Sequence, residues 1–132
     1  MNNLANRPIV LDIDQSVGPL PGRLVLPLGH WQESVRFGSS LATMRRFGTM
    51  LDELLPAEYG TVFMGSGDFH HLSWPLIARL QARTPFQVVV LDNHPDNMRF
   101  PFGVHCGSWV RRVAMLPQVS HVHVLGITST DI

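Results

Sequence analysis

The sequence predicts an α/β fold built on a mainly parallel sheet, and three observations carry that prediction. Short apolar runs at residues 8–14, 60–64, 86–91 and 121–127 alternate with helix-like stretches, the order that produces parallel strands joined by crossovers. The run Gln87-Val88-Val89-Val90-Leu91 is almost unbroken in its apolar character, as a strand buried on both faces of a parallel sheet would be. Polar residues capable of chemistry follow directly behind two of these runs, at the strand ends where open α/β sheets bind ligands. With 132 residues the chain has room for one domain with a real core, over residues 1–132, and is too short for two.

Each element has its own signal. Residues 8–14 read as a first strand that ends in Asp12 and Asp14, and Gly18-Pro19-Leu20-Pro21-Gly22 punctuates a turn before a second apolar run at 23–28. The Asp12/Asp14 pair is most simply a loop cap and less often a ligand pair. Residues 39–55 form the clearest helix: Leu41, Met44, Phe47, Leu51, Leu54 and Leu55 recur at spacings of three and four. Ser39 or Ser40 caps its start and Pro56 closes it. A strand at 60–64 runs into Gly65-Ser66-Gly67, which lets the backbone turn tightly but lacks the Lys-Ser/Thr of a phosphate loop. Ser73 before Trp74-Pro75 reads as the cap of a short helix. The strand at 86–91 follows, then a loop through residue 107, a short helix around Trp109, Val110, Val113 and Ala114, and a last strand at 121–127. His121 and His123 alternate along that strand and are assigned to its polar side, away from the site.

Composition narrows the function. Formal net charge is zero and the pI is about 7.1, so nothing favours nucleic acid or an anionic membrane. Cys106 is the single cysteine; no intrachain disulfide can form, and a reducing cytoplasm is the natural compartment. The opening residues lack the basic start and apolar core expected of a signal peptide, and no apolar run approaches the ~20 residues of a membrane helix.

The chemistry concentrates in Asp92-Asn93-His94-Pro95-Asp96 and in the adjacent pair His70-His71. In an extended chain Asp92, His94 and Asp96 share one side, and Pro95 favours an extended His94. Two carboxylates and an imidazole at a strand end form a half-site for a divalent metal; the alternative is a plain turn of loop-forming residues. Two neighbouring histidines after a strand raise the prospect that one of them is a further ligand.

Together, Gly67-Asp68-Phe69-His70-His71 and Asp92-Asn93-His94-Pro95-Asp96 resemble the paired metal motifs of the ureohydrolase superfamily, that of arginase, agmatinase and formiminoglutamase. His105-Cys106-Gly107 resembles a loop histidine of that family, and the closing strand is similar to its next strand. The resemblance spans about residues 60–130. It implies a three-layer α/β/α fold of the arginase type, of which this chain would be the N-terminal part. It also implies a centre of two Mn²⁺ ions, other divalent ions being alternatives. Asp92 would bridge the ions, His70 (with His71 the other candidate) and Asp96 would serve one, and His94 the other. A metal-bridging hydroxide would cleave a C–N bond of a guanidino, amidino or formimino compound, with His105 shuttling protons. The second Asp-x-Asp motif of the family has no counterpart here; Thr128-Ser129-Thr130-Asp131-Ile132 resembles its start only superficially. The remaining ligands would then come from a missing C-terminal half, from another subunit or from Asp12 and Asp14.

Two other readings stay open. The Asp92-Asn93-His94-Pro95 segment is also similar to the Asp-His-His phosphoesterases, and Arg99, Arg111 and Arg112 could take a phosphate. Alternatively the domain binds metal or a partner without turnover, with Phe100, Phe102 and Trp109 as contact surface. The expected partners are a small-molecule substrate and either a second copy or the missing half, because an unpaired strand edge invites association.

Overall fold

The computed structural model describes residues 6–129. In chain order these form β1 (Ile9–Asp12), β2 (Leu24–Pro27), α1 (Gln32–Val35), β3 (Gly38–Ser40), α2 (Leu41–Leu54) and β4 (Val62–Phe63). A 3-10 turn at Gly67–Leu72 leads into α3 (Ser73–Ala78), followed by β5 (Phe86–Leu91), β6 (Gly103–His105), α4 (Trp109–Ala114) and β7 (Val119–Leu125). The protein is thus mixed α/β with parallel sheets, as its alternating pattern predicts.

β1 is the centre of a parallel sheet of order β2-β1-β4. Ile9, Val10 and Leu11 are all buried, because a central strand covered on both faces wants apolar residues at every position. A second parallel pair joins β5 to β7, aligning Val90 with Val124 and Leu91 with Leu125. Here the expectation of burial on both faces fails. Val88, Val90, Val122 and Val124 pack on the core, whereas Val89 and Leu91 are 60% and 81% exposed. Only one face of this pair is packed on the core, so β5 alternates in and out although its sequence does not.

The antiparallel pair β3–β6 is a further difference from a wholly parallel sheet. β6 lies within the segment expected to be a loop. Gly-Ser-Ser and Gly-Val-His carry no strand periodicity, so this pair depends on tertiary contact.

α2 follows its 3.6-residue stripe. Met44, Phe47 and Leu51 are buried, and the Ser40 hydroxyl accepts the Thr43 N–H at 3.2 Å as N-cap. Leu55 is buried just beyond the helix while Leu54 points out. Ser73 does not cap α3. The 3-10 turn continues directly into that helix, leaving Ser73 as its first residue, and its hydroxyl instead contacts the Met64 sulfur at 3.6 Å. No helix among the described residues is long and apolar enough to cross a membrane.

Candidate metal centre

The 3-10 turn decides which of the two adjacent histidines faces the site. Successive residues of such a turn project about 120° apart, so His70 and His71 cannot share a direction. Phe69, the residue between the glycine-aspartate pair and the histidines, is fully buried and anchors the turn. Arg36 pins it from outside through an ion pair to Asp68 at 2.6 Å, its guanidinium lying over the Phe69 ring. His71 enters the core with no exposed surface. Its Nδ1 lies 3.4 Å from the Cys106 sulfur. Burial holds it neutral, down to about 4, with the backbone of Val35 pulling weakly the other way.

His70 points to Asp96. Its Nε2 lies 3.1 Å from Asp96 Oδ2 and 3.1 Å from the Cys106 carbonyl, while Nδ1 meets the Gly67 carbonyl. Acceptors at both ring nitrogens favour the imidazolium. The Asp96 and Cys106 side chains raise the group to about 11, against the opposing effect of burial.

Asp96 is 6% exposed and has a positive φ of 50°. Aspartate tolerates that left-handed conformation better than most residues. Its Oδ2 also accepts the Trp109 indole N–H at 2.8 Å. Burial pushes the carboxyl up, but the contacts with His70, Asp92 and Trp109 outweigh it, so Asp96 stays below its ordinary value.

The segment from Asp92 to Asp96 does not run on as an extended strand. β5 ends at Leu91, Asp92 Oδ1 accepts the His94 N–H at 2.9 Å, and the chain bends there. The two carboxylates therefore converge through an aspartate turn and a left-handed residue, and not through strand alternation. Ligand atoms of His70, Asp92 and Asp96 all lie within 4.8 Å of one another. His94 stands outside this trio, with Nδ1 3.7 Å from Asp92 Oδ1 and its side chain 47% exposed.

His105 ends β6. Its Nδ1 accepts the Gly107 N–H at 3.0 Å, which leaves Nε2 as the ring's donor, and the ring packs edge-on against Phe100. Asp12 and Asp14 line a different hollow, and Asp14 is bonded to the Ser16 hydroxyl at 2.6 Å. His121 and His123 lie on the outward face of β7, with His123 bonded to Gln87 across the strands. Of the closing Thr128–Ile132 motif, residues 130–132 lie outside the described residues. Sequence reasoning missed the part Trp109 and Cys106 play around His70 and Asp96, contacts that no local pattern in the sequence announces.

Over 76 residues the chain is 37% identical to an uncharacterized protein of Thermotoga maritima, a match covering 58% of this chain and 30% of that protein. The matched segment thus spans less than a third of the relative's length. No family model and no solved structure matches the chain.

Proposed function

We propose that the chain carries a divalent-metal hydrolase site of the ureohydrolase type, acting on a C–N bond of a small guanidino, amidino or formimino compound. The supporting observation is the convergence of His70, Asp92 and Asp96 within 4.8 Å. The donor set suits Mn²⁺ or a related ion: two carboxylates and an imidazole with no thiolate. A cation can also take the place of the proton that His70 holds against Asp96. In this reading His70, Asp92 and Asp96 would hold one ion, Asp92 and His94 would help to hold a second, and His71 remains a core residue. Divalent ions held there would acidify water and polarise the substrate.

The chain's own groups have distinct tasks. Trp109 fixes the Asp96 carboxylate, and the Cys106 and Gly67 carbonyls orient His70. His105 presents a proton on Nε2 for exchange with solvent or the leaving amine. The finer fold belongs to the same reading: a three-layer arrangement in which the bare face of the β5–β7 pair receives its second layer, within a longer protein or from a second copy. A reducing cytoplasm, where Cys106 persists as a thiol, is the compartment this reading implies.

Metal analysis after purification in manganese tests it. Asp92→Asn should lose most of the bound metal while circular dichroism remains that of the parent; full occupancy in the variant would remove Asp92 from the site. Urea or ammonia release from guanidino and formimino compounds, set against phosphodiester turnover, then decides the chemistry. The exposed position of His94 favours a second reading, a metal-binding relative without turnover. One ion per chain with no ammonia release would select it.

A further inference from the structure

The motif left unused by the metal centre is the arginine group Arg99, Arg111 and Arg112. The fold brings all three to the lining of one cavity of about 380 Å³, between the loop after Asp96 and the outer side of α4. Neither His70, Asp92 nor Asp96 is among the residues that line it. A guanidinium keeps its charge at any physiological pH, and the chain as a whole is neutral. Even so, no carboxylate lines this cavity, and none of the three arginines forms an ion pair among the described residues. Two other arginines do find acids, in Arg36–Asp68 and Arg79–Asp52; what sets this group apart is that three guanidinium-bearing residues line one cavity. Three unneutralised cations in one hollow repel one another, and an anion placed between them would remove that cost.

The cavity is also partly set in advance. Arg112 donates from Nη2 to the Phe100 carbonyl at 3.1 Å and lies over the Trp74 ring at 5.6 Å, so its head is held in place before any ligand arrives. Apart from Ser108 the remaining wall is apolar, with Met98, Phe100 and Met115 contributing. Methionine adapts to irregular shapes, and an aromatic face suits a planar or hydrocarbon body. The volume lies within the range of small-molecule sites.

We propose that this cavity binds a phosphate monoester with an apolar or aromatic body. A monoester carries about −1.5 to −2 charges near pH 7, the right magnitude for three guanidinium groups that can bind its oxygens in pairs. The assignment does not depend on the metal centre, so its test uses metal-free protein.

Isothermal titration of the chelator-treated full chain with phenyl phosphate is the first experiment. One saturable site per chain is expected, weakened by added salt. Arg99→Gln and Arg111→Gln should each lower affinity about tenfold, whereas Arg83→Gln, at an exposed position, should leave it unchanged. Inorganic phosphate should bind more weakly and benzyl alcohol not at all. No saturable binding, or arginine variants that bind like the parent while keeping its circular dichroism, would overturn the site. Equal affinity for inorganic phosphate would overturn the apolar wall, and equal affinity for benzoate would overturn the phosphate assignment.

Discussion

Trp109 stands at the point where packing and site chemistry meet. Its ring lies edge-on to His70 with centroids 6.1 Å apart, and its N–H holds the Asp96 carboxylate. Trp109→Phe keeps most of the packing and deletes the donor. A hydrogen bond to a charged group is worth about 1.5–3 kcal/mol, so urea unfolding should show a loss in that range; unchanged stability would mean the bond contributes nothing. Tyr59 offers a cleaner titration, because it is the chain's single tyrosine. Its hydroxyl donates to the Leu76 carbonyl at 2.6 Å, and burial raises it above 10.0 despite the neighbouring Arg79. The sign follows: the unfolded chain ionises first, so the stability this group contributes is complete below about pH 10 and declines as pH rises further. Ultraviolet titration at the phenolate band should give a midpoint above 10, and Tyr59→Phe should flatten the alkaline fall in melting temperature. At this scale His70, Asp92 and Asp96 were legible as candidates that converge, because their residue types advertise ligand chemistry, whereas His94 stands outside the cluster and His71 enters the core. The Trp109 contact was not, since no local pattern links residue 109 to residue 96 across a loop.

The elements that hold the site are the least regular ones. β3 and β6 pair so closely that a Cβ on Gly103 would lie 2.1 Å from the Ser39 carbonyl oxygen, and one on Gly38 would lie 2.6 Å from His105 Cβ. This pair places His105, and the adjoining bond from the Cys106 N–H to the Phe37 carbonyl brings Cys106 against the 3-10 turn. Gly103→Ala must push backbone against backbone. It should cost about 1–3 kcal/mol as overpacking does, and it should disturb His105 first. A histidine C–H resonance that shifts at position 105 with little change at His121 and His123 would confirm that order. Uniform shifts at all three would point instead to global loosening. α2 was legible because its stripe repeats over fourteen residues. β3 and β6 were not, since three-residue strands of glycine, serine and histidine are defined by their partners. The histidine pair shows the same limit: sequence placed it after a strand, but the 120° step that turns His70 towards Asp96 and His71 into the core belongs to the 3-10 turn.

At the scale of the molecule, the outward face of the β5–β7 pair controls behaviour in solution. Its cross-strand rows run from Gln87 and His121, through Val89 and His123, to Leu91 and Leu125. The polar end is at home in water, while Val89, Leu91 and Leu125 are 60%, 81% and 53% exposed. Both strands have one hydrogen-bonded neighbour among the described residues, which leaves two free edges beside the apolar end. Parallel pairs almost always have both faces covered, and a contiguous apolar patch on a strand pair is a site of association. The 132-residue chain should therefore self-associate at micromolar concentration, the regime in which such surfaces aggregate. Leu91→Lys places a charge at the most exposed of these positions without touching the packed face, so it should shift sedimentation velocity towards the monomer. Its circular dichroism should be unchanged, because Val88 and Val90 still carry the core contact. A wild-type chain that sediments as a monomer throughout would show that two open edges and a bare valine-leucine face are tolerable here, and the second layer proposed for this sheet would lose its physical motive.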